Sequence, residues 1–347
     1  MTDQVTYQIL NIADENWDSF IDSTSGSGIF HHSAWIGMLA ECYGYRPFVV
    51  AICDELGNIL AGLPMMEVNS VLTGRRWVSL PFSDHCKPLF ENILFQRKLF
   101  KYISELQIEY GVSRIEIRGA LPDADHVHRN SEQVLHLLKL SNDPQEVFDS
   151  FHYQVRKKSI SRAERDGVKI RWAKDKNDLD TFYRLHLMTR SRLGVPIQPK
   201  HYFELLWNNI IDAKLGFILL AYKDSLPIAG SIFLTYKNTL IYKYSASDIE
   251  YRKFRANHLI LWTAIRWGCE QGQTMFDFGR TDVSDVGLRS FKTSWGANET
   301  PLIYSTMAFR PPSKTSSRLQ DIMGTIIRNS PSLVCRITGE ILYKHFA

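Results

Sequence analysis

The feature that most constrains the fold of this chain is an internal duplication. Residues 48–68 (FVVAICDELGNILAGLPMMEV) and 217–236 (FILLAYKDSLPIAGSIFLTY) each contain two apolar runs separated by turn-forming residues. Such runs are typical of two strands joined as a β-hairpin. The turns are predicted at Leu56-Gly57-Asn58 and Asp224-Ser225-Leu226-Pro227, and the second strands are predicted to open on Ala61-Gly62 and Ala229-Gly230.

Further along, each hairpin is followed by a second matching pattern. Residues 99–119 and 258–279 both have apolar residues at helical spacing, then a glycine, then a strand-like run ending in RIEIRG or TMFDFG. The helical positions are Leu99, Ile103, Leu106 and Tyr110 in the first copy, and Leu261, Ala264, Ile265 and Gly268 in the second. With 347 residues, the chain is long enough for two cores. We therefore predict domains at 1–145 and 146–310, followed by a helical tail at 311–347.

Composition excludes several classes of protein. The five cysteines include no close C-x-x-C pair, and the histidine pairs lack zinc-ligand spacing, so we expect neither a disulfide framework nor a bound metal. The N-terminus has no secretory signal pattern, and no apolar run is long enough to span a bilayer. The net charge of +4 is too small for a dedicated DNA binder. These observations predict a cytoplasmic protein, with contact to the inner membrane face left open.

The segment between the two copies predicts a basic helix. Asp143 is placed as its N-cap, Pro144 as its first residue and Gly167 as its left-handed C-cap. Lys158, Arg162 and Arg165 stand at i, i+4 and i+7, which places them on one face of an α-helix. That face is either solvated or binds an anion.

The run FDFGRT at 276–281 brings polar side chains to the end of a strand, where ligand crevices form. Asp277 there could serve as a base, or its carboxylate could cap the following loop. Downstream, Lys292 lies between Phe291 and Trp295, and a cation beside an aromatic wall can bind phosphate or stabilise an oxyanion during acyl transfer.

Cations also precede a predicted helix start in YRKFRANHLILW, residues 251–262. A helix N-terminus with free amides and flanking cations can bind an anion. The last 30 residues are amphipathic and basic at intervals, so they either pack on the body or lie at a membrane interface.

Taken together, the tandem units, the segments RKKSISRAERDGV and HLMTRSRLGVPIQPKHYFELLW, and FDFGRT followed by GLRSFKTSWG resemble the FemAB-related branch of the GNAT superfamily. The resemblance extends from about Phe30 to Pro301. It implies an α+β fold of two tandem GNAT-like (acyl-CoA N-acyltransferase) domains, with mixed, mostly antiparallel sheets flanked by helices.

The resemblance also implies an activity and a set of site residues. The expected enzyme is an acyltransferase that moves an acyl group from acyl-CoA or aminoacyl-tRNA to an amine of a peptidoglycan, exopolysaccharide or lipid precursor. Lys292 matches the family lysine of the pattern GL-x-x-FK-x-x-aromatic-G, and Asp277 is the second catalytic candidate. The donor is expected at Arg252, Arg255, Ala256 and Asn257. Substrate-binding candidates are Lys158, Arg162, Gln198, Tyr202, Arg280, Phe291 and Trp295.

Departures from the family pattern keep alternatives open, and two of them concern the donor turn and the acceptor site. Arg255 replaces the first glycine of the turn that binds the CoA pyrophosphate, and Gln198 replaces the arginine found four residues before the family tyrosine. The first departure supports a non-catalytic binding or scaffold protein as an alternative, and the second favours an amine acceptor other than a nucleotide-linked muropeptide. A third hypothesis has Lys158, Arg162 and Arg165 contacting tRNA phosphates.

Overall fold

The computed structural model describes residues 5–70, 74–309, 325, 327–328, 330 and 332–345. Of these, 5–132, 302–309 and 344–345 form one unit, and 133–301 with the described residues of 325–343 form another. We call them the N-terminal unit and the C-terminal unit.

The N-terminal unit is built around a mixed sheet. Its elements are β1 (Thr6–Leu10), α1 (Glu15–Ser23), a 3-10 turn (Ile29–His31), α2 (Ser33–Tyr43), β2 (Arg46–Cys53), β3 (Ile59–Ser70), β4 (Gly74–Val78), β5 (Leu89–Phe90), α3 (Ile93–Glu109) and β6 (Arg114–Ile117). Strands β1 to β4 pair antiparallel in sequence order, whereas β4 and β6 pair parallel. The first predicted hairpin is confirmed as β2–β3.

The C-terminal unit repeats this plan at greater length. Its elements are β7 (Val127–Lys139, from residue 133), α4 (Pro144–Ser150), a π-helical segment (Gln154–Ile160), α5 (Ser161–Arg165), β8 (Lys169–Trp172), α6 (Lys176–Leu193), α7 (Lys200–Leu206), a second π-helical segment (Trp207–Ile211), β9 (Gly216–Lys223), β10 (Leu226–Tyr236), β11 (Thr239–Ser247), a 3-10 turn (Ile249–Phe254), α8 (Ala256–Glu270), β12 (Met275–Asp282), α9 (Val286–Thr293), β13 (Asn298–Ala308, to residue 301) and α10 (Ser332–Leu342). A last 3-10 turn spans Tyr343–His345, and residues 305–308 of β13 pair antiparallel with β6 inside the N-terminal unit.

The sheet of the C-terminal unit runs in the order β7–β12–β11–β10–β9–β8. Neighbouring strands are antiparallel except for β11 and β12, which are parallel. Helix α8 packs on this sheet and buries the predicted positions Leu261, Ala264, Ile265 and Gly268. The helix, its stop at Gly272 (φ +73°) and the following strand β12 are all confirmed.

The second hairpin is confirmed as β9–β10, but its turn is shorter than predicted. Asp224 and Ser225 both adopt positive φ, 49° and 66°, and such a two-residue turn matches the twist of the flanking strands. Strand β10 therefore begins at Leu226 rather than at Ala229. The prediction that β3 opens at Ala61 is wrong in the same way, since β3 begins at Ile59.

The predicted basic helix has the expected ends but not the expected interior. Asp143 caps α4 by accepting a hydrogen bond from the Gln145 amide (2.8 Å), and Gly167 has a φ of +76° just after α5. Between them, helix α4 ends at Ser150, and the π-helical segment begins at Gln154. Lys158 lies in that segment, whose wider turn does not follow the 3.6-residue period, so the predicted stripe with Arg162 and Arg165 is wrong as an α-helical face.

Of the predicted tail, residues 311–324 lie outside the described residues. Helix α10 packs against α6 in the C-terminal unit and buries Cys335, whose thiol lies 3.4 Å from the Val195 carbonyl oxygen. Gly339 approaches the Ile197 backbone so closely that a Cβ would overlap it. The described part of the tail therefore packs on the body of the protein.

Candidate active site

A bulge in β12 shapes the centre of the candidate site. The pairing of β12 with β7 shifts register between Asp277 and Arg280, and Gly279 within the bulge has a φ of +71°. Asp277 is only 2% exposed, and its carboxylate accepts a hydrogen bond from the Gly279 amide (2.7 Å). Of the two interpretations of Asp277, this contact matches the one in which its carboxylate caps the local backbone. The bulge turns the carbonyl groups of Gly279 and Arg280 toward α9.

Those carbonyl groups hold Lys292. Its side chain is 4% exposed, and Nζ donates to the carbonyl oxygens of Gly279 (2.8 Å) and Arg280 (3.1 Å). Helix α9 delivers the lysine, and Asp285 caps that helix by accepting from the Leu288 amide (2.9 Å). Two main-chain dipoles therefore determine where a buried ammonium group lies.

Lys292 lines a cavity of about 720 Å³ on the face of α8 and β11. Among the described residues around it, Arg192, Lys243, Arg252, Arg255 and Lys292 carry positive charge, and Asp248 carries negative charge. The Asp248 carboxylate already accepts from the Glu250 amide at 3.0 Å. The wall is thus strongly cationic, and a low-dielectric cavity of one sign concentrates ligands of the opposite sign.

The turn before α8 forms one side of this cavity. Arg255 adopts the left-handed conformation (φ 55°, ψ 28°), the conformation that glycine takes most easily. Helix α8 then begins at Ala256 without a side-chain cap, and Asn257 beside it has a buried Oδ1 that accepts no hydrogen bond within the described residues. All four predicted donor-binding residues line the cavity: Arg252, Arg255, Ala256 and Asn257.

Aromatic residues form another part of the cavity wall and its support. Phe291 lines the cavity, whereas Trp295 is fully buried behind it and packs against Phe151 (5.0 Å between ring centroids). His258 lines the cavity and stacks on Trp295 at 5.8 Å. Burial, and then the charge of Arg255, lowers the pKa of His258 to about 4, so its ring is neutral at pH 7.

Other predicted substrate residues lie behind the wall. Gln198 is buried, with Oε1 3.3 Å from Nε2 of His186. Tyr202 is also buried, and its hydroxyl lies 2.8 Å from the hydroxyl of Tyr244, which does line the cavity. These residues reach a ligand only through their neighbours.

Three predicted residues are exposed on other surfaces. Arg280 directs its guanidinium away from Lys292 to Gln133 (3.2 Å), although its carbonyl oxygen binds Lys292. Arg162 lies 3.3 Å from Asp166, and neither Arg162 nor Lys158 lines the cavity.

Sequence reasoning missed the contribution of β11. Tyr242, Lys243, Tyr244 and Ser245 all line the cavity, and burial raises the pKa of Tyr242. The alternating run YKYSAS, which places aromatic residues on one face of a strand, was the available signal. Its position next to β12 depends on a parallel pairing that sequence alone does not give.

The described residues place no group of three or more His, Cys, Asp or Glu side chains where it could hold a metal ion. Nor do they include a helix long and apolar enough to cross a membrane.

The chain shows similarity to known proteins over both its sequence and its fold. Residues 149–292 match the acetyltransferase (GNAT) domain model. Over 178 residues the chain is 24% identical to a lipid II:glycine glycyltransferase of Staphylococcus epidermidis, a match that covers 50% of this chain and 38% of that protein. Over 79 residues it is 32% identical to the Staphylococcus aureus protein of the same name, covering 21% and 19%. The chain thus spans well under half the length of these curated relatives.

Solved structures share the fold over a longer range. The crystal structure of FemX matches with a TM-score of 0.67 at 14% identity, covering 91% of this chain and all of the other. L-PGS from Bacillus licheniformis matches at 0.56 and 14%, covering 92% and 99%, and a tandem GNAT protein from the clavulanic acid pathway matches at 0.55 and 10%, covering 89% and 100%. The predicted α+β tandem GNAT-like fold is confirmed, and the chain is similar in sequence to a GNAT acetyltransferase domain and to lipid II:glycine glycyltransferases.

Proposed function

We propose that this protein transfers an acyl or aminoacyl group from a phosphate-bearing carrier to an amine of a cell-envelope precursor. The observation that carries the proposal is the cationic cavity, which four other positive side chains line together with the buried Lys292. Acyl-CoA and aminoacyl-tRNA share the chemistry that such a cavity accepts, since both attach a reactive carbonyl to an anionic carrier.

In this proposal, the carrier phosphates lie against Arg252, Arg255 and the uncapped start of α8. The reactive carbonyl then lies beside Lys292. A neutral amine attacks the carbonyl carbon, a nitrogen–carbon bond forms, and the negative charge that develops on oxygen is stabilised by the ammonium group. The intermediate collapses as the bond to the carrier oxygen or sulfur breaks and the amine proton passes to that leaving atom.

We assign Asp277 a positioning role, because its carboxylate holds the bulge whose carbonyl groups bind Lys292. Tyr202 acts in the same indirect way through Tyr244. The curated relatives are named for transfer of glycine to lipid II, which supports an aminoacyl donor and an envelope acceptor. A lipid-linked acceptor would bring the reaction to the inner face of the membrane.

The test compares donors and then removes the lysine. Thermal unfolding is measured with acetyl-CoA, with glycyl-tRNA and with uncharged tRNA, and we expect one donor to stabilise the protein by about 2.7 kcal/mol at a hundredfold excess over Kd. With that donor and lipid II as acceptor, Lys292→Met should lower kcat by about 100- to 1000-fold while donor binding changes little.

Lys292→Arg serves as the control that keeps the charge but changes its geometry. Near-normal turnover in Lys292→Met would remove the lysine from the mechanism. If neither donor shifts the unfolding temperature, the proposed transfer is wrong and the non-catalytic alternative takes its place.

A further inference from the structure

A buried histidine lies next to the proposed catalytic lysine. His136 is on β7, its side chain is fully buried, and it shares the inward face of the strand with Val134 and Leu138. Strand β7 pairs with β12 on both sides of the bulge, through Leu137 with Asp277 and Leu135 with Arg280. His136 therefore lies opposite the segment that holds Lys292.

The imidazole has a carboxylate partner. Nε2 of His136 lies 3.2 Å from Oε2 of Glu299 at the start of β13. The same carboxylate accepts two hydrogen bonds from Arg289, one from Nε and one from Nη2, each 2.8 Å long. Nη1 of Arg289 donates to the Val283 carbonyl oxygen (2.9 Å). Paired guanidinium–carboxylate contacts of this kind have a well-defined geometry.

Arg289 and Lys292 are three residues apart on α9, so they lie on the same side of the helix. One binds Glu299 and the other binds the β12 carbonyl groups, which ties the helix to two strands at successive turns. His136 contacts the first attachment through Glu299 and lies on the strand that pairs with β12.

The charges around His136 indicate its protonation state. Burial contributes most to lowering its pKa, followed by the positive charge of Lys292, and Arg289 acts in the same direction, whereas Glu299 opposes them. Nε2 approaches Glu299 without the geometry of a hydrogen bond, and Nδ1 has no hydrogen-bond partner among the described residues. A neutral ring avoids a second positive charge next to the buried ammonium.

We propose that Arg289, Glu299 and His136 form a connected array, running from the surface to the buried imidazole, that holds Lys292 in place. His136 is then a positioning residue for the acyl transfer, which makes this inference rest on the proposed function. Glu299 is the counter-charge of Arg289 and lies beside the imidazole, so the array connects α9, which carries Lys292, to β13 and β7.

The first test needs no activity. The ring protons of His136 are followed by NMR as pH is varied, with His136→Gln used to assign the signal. Since the positive charge of Lys292 lowers the pKa of His136, Lys292→Met should raise that pKa, and Glu299→Gln should lower it. An identical titration in the wild type and Lys292→Met would overturn the proposed coupling.

The second test uses turnover. His136→Leu removes the polar group that faces Glu299 and should lower kcat about tenfold or more with KM for the acyl donor unchanged. His136→Gln keeps a polar N–H group near the Nε2 position and should restore most of the rate. Equal rates in the two variants, or a change in KM alone, would contradict a positioning role. If the wild type is inactive with both donors, the proposed function fails, and the NMR titration still decides whether the array exists.

Discussion

Arg255 keeps the backbone conformation of the donor-binding turn although the glycine typical of that turn is absent. The family turn has glycine at this position, and the replacement of that glycine is the main sequence argument for a non-catalytic protein. The backbone nevertheless keeps the left-handed conformation, with φ at 55°, and α8 starts at the next residue. A side chain with a Cβ in this conformation costs about 1–2 kcal/mol. The chain accepts that strain while placing a cation at the cavity.

This strain predicts different stabilities for two variants that lose the same charge. Arg255→Gly relieves the left-handed strain, whereas Arg255→Ala keeps it, so the glycine variant should be the more stable by about 1 kcal/mol in denaturant unfolding. Both variants should bind the anionic donor more weakly, and to the same extent. Equal stability of the two variants would show that Arg255 is not strained.

At the scale of elements, the β12 bulge connects the fold to the site. Gly279 has positive φ inside the bulge, and its carbonyl oxygen receives Lys292. The bulge therefore affects the reaction by positioning Lys292 through a main-chain carbonyl group, since Gly279 has no side chain.

Replacing the bulge glycine should affect stability and turnover separately. Gly279→Ala should destabilise the C-terminal unit by about 1 kcal/mol, because alanine disfavours positive φ, and should lower kcat at least tenfold as the carbonyl moves away from Lys292. Gly272→Ala is the matched control, since Gly272 has a φ of +73° and open space around it. The control should show the loss of stability with normal turnover. Wild-type turnover in Gly279→Ala would show that the conformation of the bulge does not affect catalysis.

The sequence predicted the elements whose signals are local. Both hairpins, helix α8, the cap at Asp143 and the left-handed Gly167 follow from turn residues, capping residues and helical spacing. The π-helical segment was not predicted, because its period differs from the one assumed. His136 was missed because 156 residues of sequence separate it from Lys292 and only strand pairing brings them together.

At the scale of the whole molecule, buried histidines make stability depend on pH. Burial lowers the pKa of His31 and His258 to about 4 and that of His186 to about 3. In the unfolded chain these rings titrate near 6.5, so below that pH the unfolded state binds more protons than the folded state. Stability is therefore fully present above pH 6.5 and is lost as pH falls toward 4.

The expected loss is about 1.4 kcal/mol for each of the three histidines at pH 5.5. Denaturant unfolding of the full chain between pH 8 and 5 measures it, and His31→Gln should reduce the slope below pH 6.5 because one titrating group is gone. A free energy of unfolding that stays constant down to pH 5 would mean that these rings are protonated in the folded protein.

Lys292 is held by main-chain atoms, which has a consequence for the evolutionary record of this site. Every residue type carries the same main-chain carbonyl group, so the contact with Lys292 does not depend on which side chains stand at positions 279 and 280. Correlated substitutions between positions, which often reveal contacts, should therefore be silent for this pair. In an alignment of relatives, the contact should instead leave its trace as retention of glycine at position 279.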